Sequence, residues 1–306
     1  MIYREEVYNA NFEPDIFFIT CKKNITMYHL NKFESEDIIF HYTKTTTALE
    51  HILYNKKLRL SDRVNSNDPI ENMKPFFSRG LIVTDQDELD FIKNQTDDDA
   101  SRIEKEVRER IKQIKQVCFC MNDTTDRFNS SKTKPLEFYG CMKPRMWEQY
   151  GDNYSGVCLI FSKNELLKQL DENYKQDFIK YVGYNDLKEK DKRIDLNILN
   201  SIGYQEYRQR LFDEIDEDIF KKHEDYIGEN EYRICSYSDE DILEISIKSA
   251  LKGIVVSGYN SQFFNEKLDE YGTKYNIDVL KIGWEDSGVQ ISNPRETLEL
   301  VQKYSD

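Results

Sequence analysis

The stretch IIFHYT at residues 38–43 decides the fold of the surrounding segment. Its apolar residues end on His41-x-Thr43, which predicts a buried strand. Apolar residues at helical spacing follow, so a short helix is expected, beginning at a capping box formed by Thr47 and Glu50. His41 is either a core histidine with its polar atoms satisfied or a side chain aimed at a ligand. Taken alone, these residues favour the core role.

Composition limits the classes of function that the chain can have. The 306 residues carry a net charge of −14, and aromatic residues make up 13%. So many rings predict a packed core, and the acidic balance argues against a broad nucleic-acid surface. Five basic residues near the middle form either a local patch for an anionic partner or solvated loop charges: Arg127, Lys132, Lys134, Lys143 and Arg145.

Targeting signals and metal-ligand spacing are not recognised in the sequence. The first residues lack a basic start followed by an apolar run, and no apolar run approaches the ~20 residues that cross a bilayer. Six cysteines without a compact framework fit a reducing cytoplasm. Cys118-x-Cys120 with Cys141 lacks a second ligand pair, so we predict no metal site.

The pattern along the chain predicts an N-terminal extension over residues 1–36 and a single α+β domain over residues 37–306. Helical insertions are expected near residues 85–116 and 186–227, where charged residues alternate with apolar stripes. Strands are expected at residues 15–19, 58–60, 156–161, 178–184, 231–237, 242–247, 253–257 and 279–283.

Two polar motifs have competing interpretations. The motif Asn67-Asp68-Pro69-x-Glu71 either begins a helix, with Asp68 as N-cap, or places Asn67 and Glu71 in the same cleft as His41. Glu229, Glu231 and Arg233 would point to one face of an extended strand. That face is either solvated with an exposed ion pair or a place where carboxylates meet a ligand.

Several motifs in order resemble a bacterial family known as domain of unknown function 2971. They are HYT at 41–43, NDP-x-E at 67–71, MW-x-x-Y at 146–150, GVCLIF at 156–161 and E-x-E-Y-R at 229–233. The resemblance covers roughly residues 38–284. The family has no settled activity, so it leaves the chemistry open.

A looser resemblance, to the ADP-ribosyltransferase fold, supplies a candidate chemistry. It rests on a His-x-Thr on the first core strand, an aromatic platform and a late Glu on a strand. Enzymes with this fold split the bond between nicotinamide and ribose in NAD. The resemblance implies that His41 and Thr43 hold the adenosine-side ribose and that Glu231 binds the reacting ribose. The aromatic position is Tyr150 or Trp147.

Together, the resemblances imply an α+β fold with a split, strongly curved mixed or antiparallel sheet and flanking helices. The expected function is an NAD-consuming transferase or NAD hydrolase in the bacterial cytoplasm, as a toxin or anti-phage effector, with no metal cofactor. A binding or sensor module without catalysis is the alternative. The expected catalytic residues are Glu231, His41 and Tyr150, and Glu229 lies on the acceptor side. The expected NAD-binding residues are His41, Tyr42, Thr43, Asn67, Glu71, Trp147 and Arg233.

Overall fold

The fold is described from a computed structural model covering residues 29–66, 68, 76–80, 85–125, 134–187, 191–285 and 288–294. The predicted strand at residues 15–19 lies outside the described residues. So do Asn67, Glu71, Arg127 and Lys132.

Strands make up much of the described chain. In order, they are β1 (Ile38–Thr43), β2 (Lys57–Asp62), β3 (Phe76–Gly80), β4 (Ile114–Met121), β5 (Val157–Ser162), β6 (Tyr174–Phe178), β7 (Lys180–Val182), β8 (Asp191–Asp195), β9 (Lys221–His223), β10 (Glu231–Tyr237), β11 (Leu243–Ser246), β12 (Leu251–Ser257), β13 (Asp278–Glu285) and β14 (Gly288–Ser292).

Helices connect many of these strands. They are α1 (Thr45–Thr47), which continues as a π-helical segment over Ala48–Leu53, then α2 (Gln86–Lys112), α3 (Pro144–Gln149), α4 (Lys163–Leu167), α5 (Tyr184–Leu187), α6 (Leu196–Ile202), α7 (Tyr204–Asp218) and α8 (Gln262–Tyr275). Short 3-10 segments include Gly140–Met142 and Glu224–Glu229.

The chain divides into two compact units, each assembled from separate segments. The first unit comprises Met1–Lys56, Met121–Glu165 and Lys248–Asp306. The second comprises Lys57–Cys120 and Leu166–Ile247.

The first unit contains a mixed sheet in the order β1-β5-β12-β13-β14. Its pairs are antiparallel except β12–β13, which are parallel and joined by α8. That connection follows from geometry, because parallel neighbours need a crossover. All six residues of β5 are buried, as expected for a strand with neighbours on both sides and both faces covered.

The second unit contains an antiparallel sheet in the order β11-β2-β4-β10-β6. Two further pairs, β3–β8 and β7–β9, are parallel. Helices α2, α6 and α7 pack their apolar stripes together, with Ile103, Val107, Leu199, Leu211 and Ile215 buried between them. The strands and helices of the two units confirm the predicted α+β class.

Helices α2, α6 and α7 occupy most of the two predicted helical insertions, but the extents of these insertions differ from the prediction. The predicted helical insertion at residues 186–227 contains two strands, β8 and β9, and β4 begins at Ile114 inside the predicted insertion at 85–116. Backbone pairing accounts for the difference, because β8 pairs with β3, which is distant in sequence. Tertiary pairing of this kind overrides the local preference of a charged segment.

The predicted capping box is also wrong. The helix after β1 begins at Thr45, so Thr47 is already helical and makes no side-chain cap. The buried hydroxyl of Thr45 instead donates a 2.8 Å hydrogen bond to the carbonyl of Ser155. Thr45 therefore ties the helix start to the loop after α3.

Candidate functional sites

The first candidate site is the end of β1. In its register with β5, His41 lies opposite Leu159, Tyr42 opposite Cys158 and Thr43 opposite Val157. Because side chains alternate along a strand, His41 and Thr43 share one face. Both are half-buried, whereas Tyr42 is buried. His41 and Thr43, which the resemblance predicts to hold the adenosine-side ribose, therefore lie on the partly open face.

Tyr42 and Trp147 make the contacts of core residues. The hydroxyl of Tyr42 donates to the carbonyl of Gly140 at 2.7 Å, and the indole nitrogen of Trp147 donates to the carbonyl of Cys141 at 2.8 Å. The two rings meet edge to face, with centroids 5.2 Å apart. Trp147 is completely buried. Packing therefore accounts for both residues, and their predicted ligand roles stay predictions.

Tyr150 lies just beyond α3 and is half-buried. It is the C-cap residue of the helix, whose last residue is Gln149. Its backbone N–H donates to the carbonyl of Met146 at 2.9 Å, which closes the last turn. Partial exposure makes Tyr150 the better placed of the two predicted aromatic residues to contact a ligand.

The loop after Tyr150 has an unusual backbone. Three consecutive residues, Asp152, Asn153 and Tyr154, have φ values of 50°, 51° and 69°. Residues other than glycine rarely adopt this left-handed conformation, and such residues cluster at functional sites. At Gly156 an added Cβ would lie 2.4 Å from the carbonyl oxygen of Thr43, so only glycine allows this close approach.

An aromatic group that no sequence pattern predicted lies at this loop. The ring of Tyr154 meets that of Trp284 edge to face at 5.0 Å, and the ring of Tyr259 stacks on Trp284 at 6.2 Å. Tyr259 is 68% exposed. No short motif signals the group, because Tyr154 lies more than 100 residues before Tyr259 and Trp284.

The second candidate site is a cluster of buried charges in the second unit, formed by Lys222, Glu229, Glu231 and Arg233. The exposure of these residues lies between 0 and 5%. The ammonium of Lys222 lies 2.6 Å from Glu229 Oε2 and 3.1 Å from Glu231 Oε2. Arg233 donates to Glu231 Oε1 through Nε at 2.8 Å, and its Nη2 lies 2.7 Å from the same oxygen. Two positive and two negative charges therefore balance within this cluster.

Local structure explains how the carboxylates reach the same lysine. Glu229 ends a 3-10 segment, and Asn230 follows in a left-handed conformation with φ of 47° and ψ of 58°. Glu229 is therefore not on the strand, and the prediction that it shares a strand face with Glu231 is wrong. Glu231 and Arg233 do lie two apart on β10, and they contact each other.

A further layer of contacts fixes the cluster. Nη1 of Arg233 donates to the carbonyl of Ile219 at 2.6 Å, and Arg63 donates to that oxygen at 3.0 Å. The N–H of Glu231 donates to the hydroxyl oxygen of Tyr181 at 2.8 Å. Burial raises the pKa of the Tyr181 phenol well above its usual range, so it stays neutral. No sequence pattern indicated Lys222, Arg63 or Tyr181, because their positions depend on tertiary packing.

Energetics make this cluster a better functional candidate than an ordinary ion pair. Buried charges lose several kcal/mol of hydration each, and apolar replacements of whole buried pairs are often neutral or stabilising. Stability alone therefore does not explain two charged pairs in one buried place. Clusters of interacting buried charges are common at binding and catalytic sites, and they also occur as structural ion-pair networks.

The predicted basic patch lies only partly within the described residues. Within the predicted basic patch, Lys134 lies over the ring of Phe138 at 5.2 Å, and Arg145 donates to Gln149 at 3.3 Å. Among the described residues, the His, Cys, Asp and Glu side chains form no group of three suited to a metal ion. No helix in the described part of the chain is long and apolar enough to span a bilayer.

Comparison with known proteins gives one match. A family model described as a protein of unknown function, DUF2971, matches residues 146–234. Neither the curated proteins nor the solved structures give a match to this chain. The matched segment contains Trp147 and Tyr150 together with Glu229, Glu231 and Arg233, whereas His41–Thr43 lies before it. The match therefore supports the predicted resemblance to domain of unknown function 2971 over residues 146–234.

Proposed function

We propose that the chain consumes NAD as an ADP-ribosyltransferase-like enzyme, with Glu231 as the carboxylate that stabilises the reacting ribose. The buried cluster around Glu231 carries the proposal. Its carboxylate is held by Lys222 and by Arg233, so it needs little reorganisation when charge develops nearby. Preorganised charge of this kind is usually the largest contribution to lowering a barrier.

The proposed reaction breaks the bond between ribose C1′ and the nicotinamide nitrogen. The electron pair of that bond leaves with nicotinamide, and C1′ becomes oxocarbenium-like. Glu231 stabilises this positive charge. A lone pair of water or of an acceptor then forms the new bond to C1′, and the attacking group loses its proton to solvent. Glu229, bound to the same lysine, is assigned to the acceptor side.

A binding module without catalysis is the second candidate function. One observation favours it: both oxygens of Glu231 already have cationic partners, and the residue is only 5% exposed. In this alternative the cluster shapes a pocket, and a nucleotide binds without any bond being broken.

Substitution of Glu231 separates the two functions. Glu231→Gln keeps the size and removes the charge, so nicotinamide release from NAD should fall by at least about 100-fold, on the scale of losing one electrostatic stabiliser. NAD affinity should change little, because the charge matters most in the transition state. Glu229→Gln should retain more activity. If Glu231→Gln turns NAD over like wild type, Glu231 is not the catalytic carboxylate.

Asp216→Asn is the matched control for stability. Asp216 is also a carboxylate of the second unit with two cationic partners, Arg110 and Lys175. Its substitution should reproduce any loss that comes from breaking a paired carboxylate, without reproducing the loss of turnover. Rates are therefore compared per folded molecule, with folding checked by circular dichroism. Equal losses of turnover in both variants would assign the effect of Glu231→Gln to stability.

A further inference from the structure

A further site is indicated by an open cavity of about 500 Å³ in the second unit, between α2 and α7. Ligand sites commonly have volumes of ~300–1,000 Å³. Its walls carry three arginines, Arg102 and Arg110 from α2 and Arg208 from α7. None of them belongs to the cluster around Glu231. We call this cavity the arginine groove.

Each of the three guanidinium groups packs on an aromatic ring. Arg102 lies 4.5 Å from the centre of the Tyr204 ring, and Arg208 lies 4.6 Å from that of Phe212. Arg110 lies 4.5 Å from the Phe212 ring. A guanidinium that packs on a ring keeps its N–H groups in its own plane, where they can bind an oxyanion.

One carboxylate orients two of the arginines. Glu106 Oε1 accepts from Arg102 Nε at 3.3 Å, and Oε2 lies 2.6 Å from Arg208 Nε. The Tyr204 hydroxyl also donates to Oε1, at 2.6 Å. This hydrogen bond, with the charges of Arg208 and Arg102, holds the pKa of Glu106 below its usual range. Glu106 therefore holds Arg102 by a hydrogen bond and Arg208 by an ion pair.

Several donors of these arginines are not used within the described part of the chain. The buried Nε atoms of Arg110 and Arg208 both lack a hydrogen-bond acceptor there, and Arg208 contacts Glu106 only as an ion pair. Arg110 contacts Asp216 through Nη2 alone, at 2.8 Å. Buried N–H groups without acceptors are costly, so an acceptor supplied by a ligand would be stabilising.

The charge of the lining is also informative. Three arginines face two carboxylates, Glu106 and Glu109, in a chain whose net charge is −14. Gln205 adds an amide group that can bind hydroxyls, and Gln113, whose Nε2 donates to Asp239 at 2.7 Å, adds its amide oxygen. A phosphate suits several guanidinium groups at once, because its oxygens accept in more than one direction.

We propose that the arginine groove binds a small phosphate monoester on a hydroxyl-bearing carrier, such as a sugar phosphate. The guanidinium groups of Arg208 and Arg110 bind the phosphate oxygens, and the two glutamines contact carrier hydroxyls. Glu109, on the rim, disfavours ligands with more negative charge. The site does not depend on the proposed turnover of NAD.

Calorimetry with ribose 5-phosphate at low ionic strength tests the proposal. Wild-type protein should bind it saturably and more tightly than it binds ribose or citrate. Arg208→Gln should weaken binding at least about tenfold, the scale of losing hydrogen bonds to a charged group. Glu109→Gln should tighten binding, because it removes a like charge. Arg208→Lys should recover only part of the affinity, since it restores the charge without the planar fork.

Arg210→Gln is the matched control. Arg210 lies two residues from Arg208 on α7, is half exposed and pairs with Glu206 outside the groove. Its loss removes the same net charge and should leave the affinity unchanged. The proposal is overturned if ribose 5-phosphate does not bind saturably, if citrate binds equally well, or if Arg208→Gln and Arg210→Gln weaken binding equally. Circular dichroism of each variant excludes loss of folding as the cause.

Discussion

The two candidate sites differ in how their residues are buried. At the end of β1, Tyr42 and Trp147 are buried among rings, and each donates its polar hydrogen to a backbone carbonyl. In the second unit, Glu231 and Arg233 are buried as charges that depend on each other. Apolar burial stabilises a fold by itself, whereas charge burial is expensive. The charged cluster is therefore the stronger candidate for function.

Arg233→Met should give the largest stability loss. Arg233 is completely buried, and its loss leaves the charge of Glu231 balanced only through Lys222. Removing one partner of a buried pair costs about 3–5 kcal/mol of unfolding free energy. Urea unfolding measures this loss.

The double variant Glu231→Gln with Arg233→Met tests whether these two buried charges depend on each other. It leaves Lys222 and Glu229 as a neutral pair, and the Ile219 carbonyl keeps its hydrogen bond from Arg63. It should therefore be more stable than Arg233→Met alone, although inactive on NAD. If the two losses simply add, Glu231 and Arg233 do not act as a coupled pair.

Trp147→Phe should have an intermediate effect, confined to stability. It shortens a buried side chain and leaves the Cys141 carbonyl without its donor, which should cost about 1–3 kcal/mol. Thermal and urea unfolding measure this cost. Turnover of NAD per folded molecule should stay near that of wild type, whereas Tyr150→Ala should lower it. A loss of NAD affinity in folded Trp147→Phe would contradict a purely structural role for Trp147, because it would show that this core ring also contacts the ligand.

Asp216→Asn should change how stability depends on pH. Burial alone would raise the pKa of Asp216, but hydrogen bonds from Lys175, Tyr237 and Arg110 outweigh burial and lower it. A lowered pKa in the folded state gives stability that is present above the unfolded value, about 3.9, and is lost as pH falls through the folded value. The wild type should therefore lose more unfolding free energy than the variant when urea unfolding is moved from about pH 7 to pH 2. Equal losses would mean that the pKa of Asp216 is not lowered.

His41→Ala should have the smallest effect on stability. His41 is half-buried at the end of β1, and substitutions of partly exposed side chains usually change the unfolding free energy by less than about 1 kcal/mol. Binding of NAD should nevertheless be lost, since the resemblance gives His41 a ribose contact. Calorimetric titration with NAD measures the binding. A loss of several kcal/mol of stability would instead identify His41 as a core residue.

Sequence patterns identified the strands around residues 38–43, 156–161 and 231–237, because apolar runs and alternation carry that signal. They missed β8 and β9, whose pairing partners lie far away in sequence. They also predicted that Glu231 and Arg233 share one face of a strand. They did not indicate Lys222, which pairs with both Glu229 and Glu231. A lysine in a charged segment looks solvated, and only tertiary packing reveals that it is buried.

The proposal that this chain turns over NAD is tested by measuring nicotinamide release by the wild-type protein. Purified protein is incubated with NAD, and free nicotinamide is measured by chromatography against a blank without protein. We expect release of nicotinamide in molar excess over the protein, and loss of this release in folded Glu231→Gln. Saturable binding of NAD with release no greater than in the blank would contradict catalysis and favour the binding module.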